Sequence, residues 1–153
     1  MKQNRYIKYV KFRGRRIDPG NPVKIRSRIP KDPFPQIRPI QGIMPDSKEE
    51  FWVMLALERL KLDYIFQYPV MGGRSSGGQV VDFWVYTVPK PTPILVQGMY
   101  WHYTAPKRYN SLLAIAKLED YFRGKINEVI EVFDTEMPTP DLAYQVVRRK
   151  LRM

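Results

Sequence analysis

Two polar side chains stand inside apolar runs in the middle of the chain. Asp82 interrupts Val80-Val81-Asp82-Phe83-Trp84-Val85, and Gln97 interrupts Ile94-Leu95-Val96-Gln97-Gly98-Met99-Tyr100-Trp101-His102. An isolated carboxylate is costly to bury in a strand, so a buried Asp has a partner or a metal. On a strand Asp82 shares its face with Val80 and Trp84, which are apolar. That mixture fits a strand end opening into a cleft better than a strand lying against solvent. His102 is the only histidine, so no histidine cluster competes with it. The chain has no cysteine, which excludes disulfides, Cys-ligated zinc and thiol catalysis.

The elements that must hold these groups follow from periodicity and punctuation. The two apolar runs flank a turn carrying Pro89, Pro91 and Pro93, the pattern of a β-hairpin with a loose connection. Upstream, Ser47 followed three residues later by Glu50 is a capping box ahead of Phe51, Leu55 and Leu62, which predicts a helix over 48–61. A strand is expected over 64–70 and a glycine-rich turn over 71–78. Past Pro106, a helix over about 109–123 sets Leu112, Leu113, Ile115, Ala116, Leu118 and Phe122 on a broad apolar face, with Gly124 as C-cap. A short strand over 128–133 follows. Thr139-Pro140 then opens a last helix over 140–151.

The order is α-β-β-β-α-β-α. A closing strand–helix–strand unit implies a parallel pair beside a meander. The expected fold is therefore α/β (α+β), a mixed sheet of four or more strands flanked by helices. One folded domain, 46–153, preceded by an arm, 1–45, accounts for the length. The 44% hydrophobic content is ample for a core.

Charge is distributed very unevenly. Of the net +11, residues 1–40 carry +10 and the remainder only +1. The arm also holds seven of the fourteen prolines, which favours extended backbone over core. Such an arm is an electrostatic footprint for polyanions, nucleic acid foremost. Its contact candidates are Arg5, Lys8, Lys11, Arg13, Arg15, Arg16, Lys24, Arg26 and Arg28, joined by Lys107 and Arg108 at the head of the later helix. Tyr6, Tyr9, Phe12 and Phe34 interleave with the charges. Aromatics in that setting stack on bases, or pin the arm to a protein surface. No apolar run is long enough to cross a bilayer, and the polar, basic N-terminus carries no apolar segment of a secretory signal. No membrane partner is expected.

With Asp in the second strand and a polar residue in the third, this order of elements resembles the PD-(D/E)XK nuclease superfamily. More narrowly, Val81-Asp82-Phe83 followed by Val96-Gln97-Gly98-Met99-Tyr100-Trp101-His102 is similar to the very-short-patch-repair endonucleases and their small, often phage-encoded relatives. The resemblance covers about residues 46–153 in layout and leaves out the arm. It implies a restriction-endonuclease-like fold and a Mg2+- or Mn2+-dependent endonuclease acting on DNA more than RNA, in the host cytoplasm or with a virion. It also implies the site. Asp82 is the indispensable metal ligand, Gln97 supplies a neutral oxygen, and Glu50 (or Glu49) adds a second charge from the leading helix. His102 is placed for proton transfer or for holding a metal-bound water. A carboxylate-bound divalent ion in such a site polarises a phosphate and activates water.

The chain departs from the family pattern at four places. Gln97 stands where the third strand usually has an acid, and Met99 where the lysine two residues later is usual. Tyr103-Thr104 replace the further His and Cys, and Asn110-Ser111 a downstream Asp. Fewer anionic ligands weaken metal binding. Two functions fit this sequence best, an enzyme relying on Asp82, Glu50 and His102, or a degenerate site kept as a nucleic-acid-binding scaffold or as part of a virion or nucleoprotein assembly; a small basic RNA-associated protein is a third, weaker reading.

Overall fold

A computed structural model describes residues 35–98 and 105–153. The chain divides into two units, Met1–Gln36 and Ile37–Met153. All but the last two residues of the first unit lie outside the described residues, and with them the arm candidates Arg5, Lys8, Lys11, Arg13, Arg15, Arg16, Lys24, Arg26 and Arg28. Met99 and His102 also lie outside.

The second unit contains α1 (Lys48–Arg59), β1 (Tyr64–Val70), β2 (Gln79–Val85), β3 (Thr92–Gln97), α2 (Ala105–Tyr121), β4 (Ile130–Phe133), a 3-10 turn (Asp134–Glu136) and α3 (Pro140–Lys150). The strands form one mixed sheet in the order β1-β2-β3-β4. The first three are antiparallel neighbours, and β4 returns parallel to β3. That return spans α2, as parallel pairing requires a crossover. Residues 37–45, read from sequence as the end of the arm, belong to this unit: Ile40 is core, and it exchanges backbone hydrogen bonds with Ile43.

The helices lie on both faces of the sheet. Phe51, Trp52, Met54 and Leu57 of α1 pack with Ala143, Val146 and Val147 of α3 over Phe83, Val85, Ile94 and Val132. On the other face Leu118 of α2 covers Val81, Trp84 and Leu95, with Ile115 and Phe122 beside it. Leu112 and Leu113 are each 49% exposed and Ala116 is exposed. The apolar face expected of α2 is thus only partly used, because Ile115, Leu118 and Phe122 recur at helical spacing and fill the contact by themselves.

Three element starts differ from the sequence reading: β4 begins at Ile130 rather than at 128, and the other two involve proline. β3 begins at Thr92 rather than at Ile94, with Pro93 paired to Trp84. Near a strand start the missing N–H is tolerated. α2 begins at Ala105 rather than near Tyr109, with Pro106 in its first turn, where an N–H has no helical partner anyway. Among the described residues no helix is long and apolar enough to cross a membrane.

Candidate functional site

The β2 pleat slips at Asp82. Phe83 and Val85 pack beneath α1 and α3, whereas Val81, also odd-numbered, packs beneath α2. Strict alternation would keep all three on one face. Opposite the slip, β1 carries Gln67 at φ +54, a left-handed backbone uncommon outside glycine. Ladder pairing runs from Tyr64↔Val85 to Phe66↔Phe83, skips Gln67 and Asp82, and resumes at Tyr68↔Val81. On the other side β2 and β3 pair only as far as Phe83↔Ile94. Asp82 therefore sits where β2 loses its partners on both edges.

Its carboxylate stands in for the lost ladder. The Val96 backbone N–H donates to Asp82 Oδ2 at 2.7 Å. The Asp82 carboxyl is pushed up to about 6: burial raises it most, the Val96 N–H pulls it back in part, and the negative charges of Glu50 and Asp46 add to the rise. Among the described residues, both charges acting on Asp82 are negative. An acid left partly buried beside like charges is poised to take a proton or a cation.

Glu50 is positioned by the start of α1. Ser47 Oγ accepts from Glu50 N at 3.1 Å, and Glu50 Oε2 accepts from Asp46 N and Ser47 N at 2.9 and 3.0 Å. The capping box read from sequence is therefore present, and it holds the Glu50 side chain at the helix N-terminus. Burial raises the Glu50 carboxyl above its ordinary range, with a further push from Asp46, against the lowering hydrogen bonds of the cap. One residue thus caps α1 and adds a negative charge that acts on Asp82.

Asp46, Gln67 and Arg74 were not singled out in the sequence. Gln67 Nε2 donates to Asp46 Oδ2, and Arg74 Nη2 lies 3.5 Å from Gln67 Oε1. The signal for Gln67 was available. It is a polar residue in the run Tyr64-Ile65-Phe66-Gln67-Tyr68, as Asp82 is in its own. Asp46 and Arg74 carried no such mark.

The remaining candidates separate. Gln97 closes β3 opposite Phe133, and alternation puts it on the face of Leu95, beneath α2. It makes no hydrogen bond to Asp82. The charge of Glu50 thus acts on Asp82, while Gln97 lies on the sheet face beneath α2. Arg108 forks onto Glu131, at 2.7 and 2.9 Å, beside the Phe133 ring. A phosphate contact there would compete with that pair. Lys107 is exposed in the first turns of α2. Among the described residues no group of three His, Cys, Asp or Glu side chains is placed to hold a metal ion.

A cavity of about 430 Å3 lies elsewhere, between Thr92, Asn127, Glu131, Lys150 and Arg152. None of Asp46, Glu50 and Asp82 lines it. Its Lys150 ammonium is engaged by Glu136 Oε2 and by the Glu131 carbonyl oxygen. Compared with protein families, curated proteins and solved structures, this chain finds no match.

Proposed function

We propose that the protein is a divalent-metal-dependent endonuclease of restriction-endonuclease-like fold that acts on DNA, with the basic arm binding the phosphate backbone. One observation carries the reading: a partly buried Asp82 where β2 loses its neighbours, facing Glu50 and Asp46 with no cation among the described charges acting on it. The sheet order, two antiparallel pairs followed by a parallel return, also fits.

The donor set is compatible with Mg2+, which keeps several waters and takes one or two carboxylates with substrate phosphates. Asp82 and Glu50 are the residues that would hold it. When bound, the ion supplies Lewis-acid polarisation of a phosphodiester. The chain's own residues do the rest. Val96 N–H fixes one Asp82 oxygen and orients the carboxylate. The capping box fixes Glu50. Burial limits water around Asp82 and strengthens its charge interactions.

The alternative is a non-catalytic nucleic-acid-binding scaffold or assembly component on the same fold. What favours it is that, among the described residues, no three His, Cys, Asp or Glu side chains are grouped so as to hold a metal ion.

Incubating the full-length protein with labelled duplex, branched and single-stranded DNA, in Mg2+ or Mn2+, tests both readings. Asp82→Asn should abolish cleavage and leave folding and binding intact, since it keeps shape and removes only charge. Cleavage that persists in Asp82→Asn rules out this site. A wild-type protein that binds all three DNAs and cuts none under either metal supports the scaffold.

A further inference from the structure

A nuclease site needs a cation for its substrate as well as carboxylates for its metal. Around Asp82 the described charges are acidic, and the nearest basic group linked to them by hydrogen bonding is Arg74, through Gln67 to Asp46. Gln67 stands across from Asp82 in the β1–β2 pair, between Phe66↔Phe83 and Tyr68↔Val81. Its left-handed backbone is a strained conformation of the kind that persists where the surroundings enforce it. That conformation coincides with the bridge its side chain makes between the Asp46 carboxylate and the Arg74 guanidinium.

The turn that carries Arg74 is tightly built, despite its run of glycine and serine. Gly73 N donates to Val70 O, Ser75 N to Gly72 O and Gly78 N to Ser75 O, all between 2.9 and 3.1 Å. Gly78 lies directly on Gly73, so a Cβ there would run into the Gly73 carbonyl oxygen and amide nitrogen. Lys117 Nζ, from α2, clamps the Gly77 carbonyl at 2.7 Å. The turn is thus tied to β1, to itself and to α2, and it presents Arg74 exposed at its tip.

We infer that Arg74 binds a phosphate of the nucleic-acid substrate beside Asp82, and that Gln67 and the Met71–Gly78 turn position it there. The inference rests on the nuclease reading for what the contact accomplishes, but not for whether the contact exists. A guanidinium suits the task because it offers paired donors matched to phosphate oxygens and stays charged at any working pH. A phosphate would displace little, since among the described residues one long approach to Gln67 is all that holds the Arg74 head group.

The test uses the full-length protein and a labelled duplex oligonucleotide. Binding is measured by anisotropy across a salt series for wild type, Arg74→Ala, Arg74→Lys and Arg123→Ala. Arg123 is exposed just past the end of α2 and paired with Asp120, so it serves as a control. Arg74→Ala should weaken binding and reduce the slope of log Kd against log salt by about one, the signature of one phosphate no longer neutralised. Arg74→Lys should restore the slope, and Arg123→Ala should leave it unchanged. The chain has no cysteine, so Ser75→Cys gives a unique site for a photo-crosslinker, which should capture the oligonucleotide.

If the wild type cleaves DNA, Arg74→Ala should also lower kcat/KM about 10–100-fold, and Gly78→Ala should do likewise with Arg74 still present. If the wild type does not cleave, the nuclease reading falls, while the salt slope and the crosslink still decide Arg74. An unchanged slope in Arg74→Ala, or no crosslink from position 75 to an oligonucleotide that is bound, overturns the inference.

Discussion

Asp82 makes the fold less stable wherever it is ionised. Its pKa is about 6 in the folded protein and near 4 in an unfolded chain. Between those values the native state holds a proton that the unfolded state has released, so stability falls as pH rises through that window. Below about pH 4 both forms are protonated and the cost vanishes. Above about pH 7 it is fully present, at most about 3 kcal/mol. Asparagine keeps an oxygen for the Val96 N–H and carries no charge. Asp82→Asn should therefore be more stable than wild type at pH 8, by about 1–3 kcal/mol, and the gap should close as pH falls to 5 and below. Urea unfolding at several pH values measures it. A variant that is less stable at pH 8 would mean that Asp82 is not held against its own charge. Stability given up at one carboxylate is the usual mark of a group retained for chemistry rather than for packing.

At the scale of elements, α2 divides its apolar residues between two roles. Leu118 is fully buried against Val81, Trp84 and Leu95. Leu113, five residues earlier, is half-exposed. Truncating a buried leucine loses its transfer energy and leaves a cavity, whereas truncating an exposed one loses little. Leu118→Ala should cost about 2–5 kcal/mol and Leu113→Ala less than about 1 kcal/mol, as read from urea midpoints. A Leu113→Ala cost approaching that of Leu118→Ala would show that something covers the outer face of α2. The same helix provides Lys117 to the 71–78 turn and Arg108 to Glu131. It therefore ties the hairpin turn on one side of the sheet to β4 on the other.

For the whole molecule, charge and fold are separated along the chain. Met1–Gln36 carries +9, and Ile37–Met153, which holds every element of the sheet, carries +2. Long-range attraction to a polyanion scales with the number of phosphates neutralised. Deleting residues 2–36 should therefore weaken nucleic-acid binding sharply and flatten its salt dependence, by about 0.9 in slope for each phosphate that the arm had neutralised on duplex DNA. Thermal unfolding of the remaining unit should stay cooperative, because its described core begins at Ile40. Binding with an unchanged salt slope would assign the phosphate-neutralising groups to the folded unit instead.

The sequence by itself determined what short-range physics controls. The capping box at Ser47 and Glu50, the Thr139-Pro140 start and the Gly124 turn are satisfied within a few residues, and each was legible before any fold was known. The closing strand–helix–strand pattern was enough to require a parallel return, and β4 pairs parallel with β3. Asp82 was legible because a charge inside an apolar run needs a reason wherever it sits. Tertiary structure alone decided the company it keeps. Asp46, Gln67 and Arg74 reach one another only because β1 pairs with β2 in a particular register and because the pleat slips at Asp82. Gln97 and Asp82 looked equivalent as polar interruptions, yet Gln97 closes a regular strand beneath α2 whereas Asp82 sits at the slip, where β2 splits from β3. Register and slip are set by packing both faces of the sheet at once, between residues far apart in the chain, and no local pattern encodes them.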